Sequence, residues 1–322
     1  MNYKYILKRV LHLIPVLILV SFFSFYLVNI APGDVAESYR GPNMTEEEFL
    51  EVKEKMGLND PLHIQYVKWV GRVLRGDFGN SIANRRPVST MIVEKLPATL
   101  GLMLSALVFS IVVAIVLGVI AGIKKGTVID KIINMFTYVG VSIPGFWFAI
   151  MLIIGFSLQL GIFPSGGMHT TGEDSFMDVV HHAILPIMAI SISKIAVYTR
   201  YVRANVISQM GEEYIVTAIA KGVSPWKMVT GHLLKNCLLP IITLVGMDMG
   251  DIVTGSYVIE SVFGWPGLGT LSLTSILTRD FPLMMGCTML SCIVLISGNL
   301  IADIVCCVAD PRIRLEGRSA NE

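Results

Sequence analysis

Long apolar blocks alternate with polar stretches along this chain, and six of the blocks are long enough to cross a membrane. A bilayer core of about 30 Å requires about 20 residues of helix, because a helix rises about 1.5 Å per residue. Helices are expected because backbone groups in lipid need hydrogen-bond partners within their own segment. The pattern predicts an all-α polytopic membrane protein with six transmembrane helices at residues 10–30, 100–123, 134–158, 182–202, 238–262 and 283–308.

The lysine and arginine residues between these blocks predict which loops face the cytoplasm. They occur before the first block, around 124–131, through 200–235 and in the C-terminal tail, and they are absent from 159–181. Loops rich in these residues tend to stay in the cytoplasm, so both termini are predicted to be cytoplasmic. The segment 31–99 also contains basic residues, but it is too long for that rule and is predicted to lie outside.

This topology divides the chain into four regions. They are an N-terminal segment with the first transmembrane helix (1–30), an extracytoplasmic helical loop (31–99), a core with five transmembrane helices (100–314) and a cytoplasmic tail (315–322). The outer loop is predicted to be folded, because Thr45 and Glu48 form a capping-box pattern. A second helix is predicted between Pro61 and Gly76. Its apolar face would consist of Ile64, Val67, Val70, Val73 and Leu74.

Composition agrees with a membrane protein and excludes two other classes. Hydrophobic residues make up 53% of the chain and charged residues 15%, with a mean hydropathy of +0.67. An average soluble domain carries about 25% charged residues, so an ordinary soluble protein and a disordered chain are both excluded. The net charge of +1 gives no basic field that would attract nucleic acid. The five cysteines form no CxxC pair and are predicted to be small apolar residues.

The fifth apolar block contains acidic residues, which are expensive in a membrane and are functional candidates by default. Asp248 and Asp251 are three positions apart and share a helix face. We predict that they line a polar path through the membrane together with Met247. Alternatively, the two carboxylates face water or polar groups at a subunit interface without touching a substrate. An aspartyl protease is not expected, because its two carboxylates must share a proton and these two lie on one helix.

The cytoplasmic loop 209–240 has internal order that the sequence alone predicts. Glu213–Ala220 has the pattern of a short helix, and Gly222 is the residue type that ends helices in a left-handed conformation. Ser224 followed by Pro225 is a helix start, so a second short helix carries Trp226. Two short helices joined by a glycine turn would project from the membrane and dock into a partner. Alternatively, the second helix lies on the membrane surface with Trp226 among the headgroups.

The chemistry that the chain lacks is also informative. It contains no Gly-Lys dipeptide, so it has no Walker A loop for binding a nucleotide. His181 and His182 are adjacent, and neighbouring helix positions point about 100° apart, so these two histidines are not predicted to hold one metal ion. No set of residues suggests a catalytic site. The chain is therefore predicted to be a non-catalytic membrane subunit with no metal or cofactor of its own.

Short strings along nearly the whole chain identify a known family. They include Ala31-Pro-Gly-Asp34, Gly76-Asp-Phe-Gly79, Leu96-Pro-Ala-Thr-Leu100, Ser142-Ile-Pro-Gly-Phe146, Phe163-Pro-Ser-Gly-Gly167, Glu260-Ser-Val-Phe-Gly-Trp-Pro-Gly-Leu-Gly269 and Asp310-Pro-Arg-Ile-Arg314. In this order they resemble the permease subunits of bacterial binding-protein-dependent ABC importers. The chain is most similar to the dipeptide/oligopeptide/nickel branch, and within it to the first of the two permeases.

The resemblance implies a type I ABC importer permease fold in the bacterial cytoplasmic membrane. It also implies four kinds of partner besides the lipid: a second similar permease, two ATPase subunits that bind ATP and Mg, and an extracytoplasmic substrate-binding protein. Nucleic acid is not among them. The loop 209–240 would be the ATPase-coupling loop. The residues implied in coupling are Glu213, Thr217, Ala218, Lys221, Gly222, Ser224, Pro225 and Trp226.

The coupling loop departs from the general signature of the family, which is Glu-Ala-Ala, three residues, Gly, nine residues and Ile-x-Leu-Pro. Gly222 and Ala218 match it, but Glu213 is nine residues before Gly222 rather than six. His232 to Lys235 stand where Ile-x-Leu-Pro is expected. This spacing resembles the peptide branch, so the loop keeps its predicted docking role.

Two alternatives to a peptide importer remain, and a membrane-embedded enzyme is rejected. Peptides are the expected cargo, while nickel or a metal chelate would use very similar machinery. An ion-coupled secondary transporter belongs to another class and would have inverted repeats with interrupted helices, which the sequence does not show. A membrane-embedded enzyme would need a convergent catalytic set.

Overall fold

The computed structural model of the chain describes residues 3–30, 37, 39–40, 44–173, 175–233, 241, 244–246, 248 and 257–309. The side chains of residues 3–13, 219, 225, 226, 230, 232 and 302–309 lie outside this description. The twelve α-helices of the described part are α1 (Tyr3–Ile30), α2 (Glu46–Lys55), α3 (Leu62–Val73), α4 (Val88–Ile123), α5 (Val128–Ser142), α6 (Gly145–Leu152), α7 (Phe176–Met210), α8 (Glu213–Ala220), α9 (Pro225–Met228), α10 (Tyr257–Val262), α11 (Leu268–Leu277) and α12 (Phe281–Ala309). Two π-helical segments are Ile153–Gln159 and Val229–Leu233.

Three of these helices are long and apolar enough to span a membrane, namely α4, α7 and α12. The count rises to four if α5 and the bent segment after it form one span. In α1, the described residues Ile14–Ile30 form a shorter apolar helix. Most of the predicted fifth helix, 238–262, lies outside the described residues. The number of six spans and the cytoplasmic position of both termini therefore stay predictions.

The third predicted helix, 134–158, is not one straight helix. The chain bends by 105° between Val128–Ser142 and Gly145–Gln159. Ile143 is extended, with φ −79° and ψ 126°, and Pro144 precedes the first residue of α6. A residue before proline is disfavoured in helical geometry, and proline has no amide hydrogen to continue the helix. The apolar run continues through this proline, so a hydropathy pattern alone does not show the break.

Helices α4 and α7 form a parallel pair at the centre of the structure. Ser191 donates to the carbonyl of Ala106 over 3.0 Å, and further along Gly118 packs against Val202. From the first contact to the second, the residue numbers increase on both helices, so α4 and α7 run in the same direction. A stripe of small buried residues on α4 allows this close approach, since small side chains let helix backbones come together. The stripe consists of Ala106, Ser110, Ala114, Gly118 and Gly122.

The predicted inner and outer loops lie at opposite ends of this bundle. At one end Arg203 on α7 pairs with Asp130 at the start of α5. At the other end the indole of Trp265 donates to the carbonyl of Ala98 over 3.0 Å, and Gly167 donates to the carbonyl of Phe263 over 2.7 Å. This separation is what the topology derived from lysine and arginine positions requires.

The segment before α4 forms a folded cap on the end of the bundle that is predicted to face outward. The capping box of α2 is present, with Thr45 accepting from the amide of Glu48 and Glu48 accepting from the amide of Thr45. Helix α3 ends before Gly76, whose φ is +80°. The predicted apolar face of α3 is partly wrong. Trp69 is its buried residue, while the predicted Val67 is 68% exposed.

Aromatic residues explain this shift of the α3 face. The ring of Trp69 lies 5.8 Å from that of Phe25 of α1 and 6.2 Å from that of Tyr66, in a buried cluster that also contains Met289 of α12. Because aromatic side chains bury far more area than valine or leucine, they decide which side of a short helix faces inward. Leu74, also predicted on the inner face, is 82% exposed.

Candidate coupling loop and translocation path

The segment 211–233, here called the coupling elbow, turns sharply after α7. Helix α7 ends at Met210, α8 follows almost at once, and α8 ends before Gly222 with φ +71°. The amide of Val223 donates to the carbonyl of Ala218 over 3.1 Å, the bond of a Schellman helix end. Only glycine adopts that left-handed conformation without strain. The predicted helix–Gly222–helix arrangement is therefore present.

The second helix of the elbow starts as its sequence predicts. Ser224 accepts from the amide of Lys227 over 3.4 Å and so caps α9. The carbonyl of Ser224 also accepts from the amide of Met228 over 3.0 Å. Pro225 occupies the first helical position, where its missing amide hydrogen costs nothing. These two bonds fix the direction in which α9 leaves the Gly222 turn.

A small apolar core holds the coupling elbow together. Ile215 of α8 and Leu233 of the π-helical segment are fully buried, and Met228 of α9 is nearly so. Residues of the loop and of the end of α7 close this core, among them Val223 and Met210. The elbow is thus a folded unit with its own core, which a rigid docking element requires.

Most of the residues implied in coupling lie on the outside of this unit. Those exposed are Glu213, Thr217, Lys221, Gly222 and Ser224. Ala218 is buried, so it packs inside the elbow. The side chains of Pro225 and Trp226 lie outside the described residues. Val216 is 58% exposed on the same helix as Glu213 and adds an apolar side chain to this surface, which sequence reasoning missed. Its spacing of three from Glu213 places it on that face.

Asp248, predicted to line the path, is paired with residues of α7. Its carboxylate lies 3.1 Å from the ammonium of Lys194 and also accepts from the hydroxyl of Tyr198. Met247 and Asp251, the other predicted path residues, lie outside the described residues. The sequence shows Lys194 only as an interruption of an apolar helix. Its partner is 54 positions away along the chain, a distance at which no local pattern reports a contact.

A second ion pair, between α5 and α7, lies at the end of the bundle nearest the elbow. The guanidinium of Arg203 donates to both oxygens of Asp130, over 2.6 and 2.9 Å. Asp130 also accepts from the amide of Gly126 and from the side chain of Asn134. These bonds satisfy the buried carboxylate, so the pair fixes the position of α5 on α7.

Histidines at the outer end of α7 make polar contacts of a structural kind. His182 Nδ1 is 3.1 Å from the carbonyl of Asp178, and His181 Nε2 is 2.9 Å from the carbonyl of Ile162. Asp178 accepts two bonds from Thr170. In the part of the chain that the structure describes, no three acidic, histidine or cysteine side chains are placed to hold a metal ion.

Glu260 organises the outer loop, a role that sequence reasoning missed. It is fully buried and accepts from the amides of Gly269 and Thr270, which belong to the first turn of α11. Thr99 of α4 donates to Glu260 over 2.9 Å and accepts from the amide of Leu268 over 2.7 Å. A carboxylate stabilises a helix N-terminus because the amides there are unpaired and carry partial positive charge. Glu260 therefore links α10, α11 and α4.

Replacing Glu260 by Gln is expected to destabilise this link. Both carboxylate oxygens of Glu260 accept hydrogen bonds, one from Thr99 and the other from the amides of α11. In Gln one of these oxygens becomes an NH2 group, so a buried donor on that side is left without an acceptor. Such a group costs about 1–3 kcal/mol. Thermal unfolding of the purified chain in detergent measures the loss. An unchanged midpoint would show that Glu260 does not hold the loop; Glu94→Gln, at a half-exposed surface pair with Arg86, is the matched control.

The family models match the chain in two parts. The model described as "Binding-protein-dependent transport system inner membrane component" matches residues 114–315. A second model, for the N-terminal part of such membrane components, matches residues 2–103. Together they cover α1, the outer cap, the coupling elbow and both ion pairs.

Curated relatives match over nearly their whole length. The oligopeptide transport system permease protein AppB of Bacillus subtilis is 40% identical over 96% of this chain and 98% of its own. The glutathione transport system permease protein GsiC of Salmonella paratyphi A is 34% identical over 97% and 99%. A putative peptide permease protein of Brucella suis is 35% identical over 97% and 99%.

A solved structure shares the fold. A chain of the MetNI methionine ABC transporter, in inward-facing conformations, superposes with a TM-score of 0.50 at 15% identity, over 68% of this chain and 96% of that one. The all-α architecture is thus that of a type I ABC importer permease. The two family models and the near-complete matches lead to one conclusion: the chain belongs to the family of binding-protein-dependent transport system inner membrane components.

Proposed function

We propose that this chain forms one half of the translocation path of an ATP-driven importer for di- or oligopeptides, in the cytoplasmic membrane of a bacterium. The supporting observation is a folded, exposed coupling elbow on a membrane chain that has no nucleotide-binding loop of its own. The relatives carry oligopeptide, peptide and glutathione names, which favours peptides as the cargo. A nickel or metal-chelate cargo is less favoured for the same reason.

In this proposal each subunit of the transporter has a separate task. Two ATPase subunits bind ATP and Mg, and one of them receives the exposed face of α8 around Glu213, Val216 and Thr217. A second, similar permease completes the path. An extracytoplasmic binding protein delivers the substrate to the outer cap. The Gly222 turn is stiff because the elbow has its own core, so movement of the ATPases is passed to α7 rather than absorbed in the loop.

Purification from native membranes tests this proposal. A tag on this chain is expected to bring down two ATPase subunits and a second permease. The same complex in proteoliposomes is expected to take up peptide only when ATP and the binding protein are present. A secondary transporter predicts the opposite result, in which this chain alone drives uptake from an ion gradient without ATPases. That outcome would overturn the proposal.

A further inference from the structure

Lys194 and Asp248 form an ion pair deep in the bundle, far from either end of α7. Lys194 is the nineteenth of the 35 residues of this helix. At about 1.5 Å per residue, each end of α7 is therefore about 25 Å away. Ionisable residues at such a depth are costly and usually belong to a substrate or ion pathway.

The pair differs from the structural pair between Asp130 and Arg203. In that pair both carboxylate oxygens accept from the guanidinium, and the Asp130 side chain is only 4% exposed. In the deep pair, the ammonium of Lys194 and the hydroxyl of Tyr198 both lie against one oxygen of Asp248, Oδ2. The other oxygen takes part in neither contact.

Lys194 and Asp248 are also partly exposed, whereas Tyr198, which contacts Asp248, is buried. The side chains of Lys194 and Asp248 are 17% and 28% exposed, while Tyr198 is 2% exposed. Tyr198 lies one helical turn after Lys194 and fixes the carboxylate from the buried side. The structure thus places one cation and one anion side by side, both partly exposed in the single chain, with the buried Tyr198 against the carboxylate.

We propose that Lys194 and Asp248 form an exchangeable ion pair that receives the charged termini of a peptide on its way through the membrane. This inference rests on the proposed function. Every unmodified peptide has a terminal ammonium and a terminal carboxylate, whatever its side chains are. A site that serves many peptides must contact these shared groups. The ammonium of Lys194 binds the carboxylate, and the carboxylate of Asp248 binds the ammonium.

Exchange of partners explains why the pair is suited to transport. In the empty path the two residues neutralise each other, so no lone charge is left at membrane depth. When a peptide terminus arrives, it replaces one partner and leaves again when the pair re-forms. The resting ion pair competes with the peptide, which keeps binding weak. Weak binding is what a path requires, because a tightly held substrate would not leave.

The test uses the complete transporter in proteoliposomes with its binding protein. The variant is Lys194→Gln with Asp248→Asn, which removes both charges together and keeps hydrogen-bonding groups. The probes are a tripeptide with free termini and the same tripeptide N-acetylated and C-amidated, each at a concentration that saturates the binding protein. The measured quantity is peptide taken up per ATP hydrolysed.

The wild-type complex is expected to prefer the free tripeptide over the blocked one in this ratio. In the double variant, the amount of free tripeptide taken up per ATP hydrolysed is expected to fall about tenfold, so that the preference over the blocked tripeptide is lost. ATP hydrolysis is expected to stay stimulated by the loaded binding protein. The control, Asp130→Asn with Arg203→Gln, removes the structural ion pair and should lower stability but keep the preference.

Three results separate the possible failures. An assembled double variant with the wild-type preference overturns the role of Lys194 and Asp248. A wild-type complex with no binding-protein-stimulated ATP hydrolysis overturns the proposed function instead. If the double variant does not assemble, Lys194→Met with Asp248→Asn is assayed in the same way, and retention of the preference there overturns the inference equally.

Discussion

Gly118→Ala is expected to lower the stability of the folded chain by about 3 kcal/mol, although it adds only one methyl group. A Cβ atom at this position would lie 2.5 Å from the Cβ of Val202 and 2.9 Å from the backbone oxygen of Thr199. Backbone atoms cannot move out of the way by a rotamer change. The two central helices would have to separate, which breaks the packing along the whole stripe of small residues. Unfolding in detergent, followed by circular dichroism, measures this loss.

Gly101→Ala is the matched control on the same helix. No atom lies within 4 Å of a Cβ built at Gly101, and this position is helical. Alanine favours a helix over glycine by about 1 kcal/mol, so this variant is expected to be at least as stable as the wild type. Equal stability of both variants would show that α4 and α7 do not pack as closely as described.

Gly222→Val is expected to abolish most transport while the chain still inserts in the membrane. A β-branched residue is strongly disfavoured at φ +71°, where even an ordinary L-residue pays about 1–2 kcal/mol. The turn between α8 and α9 would rearrange, and the exposed face of the elbow would no longer fit an ATPase subunit. Because about 1.4 kcal/mol of binding energy is a factor of ten in affinity, uptake should fall about tenfold or more. Uptake and the amount of co-purified ATPase measure the effect.

Gly126→Val is the control for backbone strain. Gly126 has φ +80° and, like Gly222, has no atom within 4 Å of an added Cβ. It lies at the same end of the bundle but outside the coupling elbow. The two variants pay a similar conformational cost, and only Gly222→Val should lose ATPase binding. Wild-type uptake with Gly222→Val would contradict the docking role of the elbow.

Local signals predicted the parts of the structure that depend on neighbouring residues. A glycine, then Ser224 and Pro225, fixes the helix ends of the elbow, and Thr45 with Glu48 fixes the start of α2. Each of these features is decided within about four positions of the chain. Pro144 is a local signal for the break after α5, but it lies inside a continuous apolar run, and apolar length alone predicts one helix there.

Contacts between distant segments could not be predicted in the same way. Nothing near Lys194 in the sequence points to Asp248, and nothing near Glu260 points to Thr99. The predicted inner face of α3 is partly wrong because that face is decided by an aromatic contact between Trp69 and Phe25 of α1, which the sequence of α3 does not show. The four-residue period of small side chains on α4 is present in the sequence, but the length of an apolar run carries no information on side-chain size and so does not predict the close packing.

The tight parallel packing of α4 and α7 has a mechanical consequence. Two helices locked together along four turns bend far less than either would alone, and α7 continues directly into the coupling elbow. If the elbow couples to ATPase subunits as proposed, its displacement would be transmitted along α7 to the level of Lys194. The 105° joint at Pro144 lies outside this stiff pair. ATP hydrolysis at the cytoplasmic side would then act on the Lys194–Asp248 pair from a distance of about 25 Å along α7.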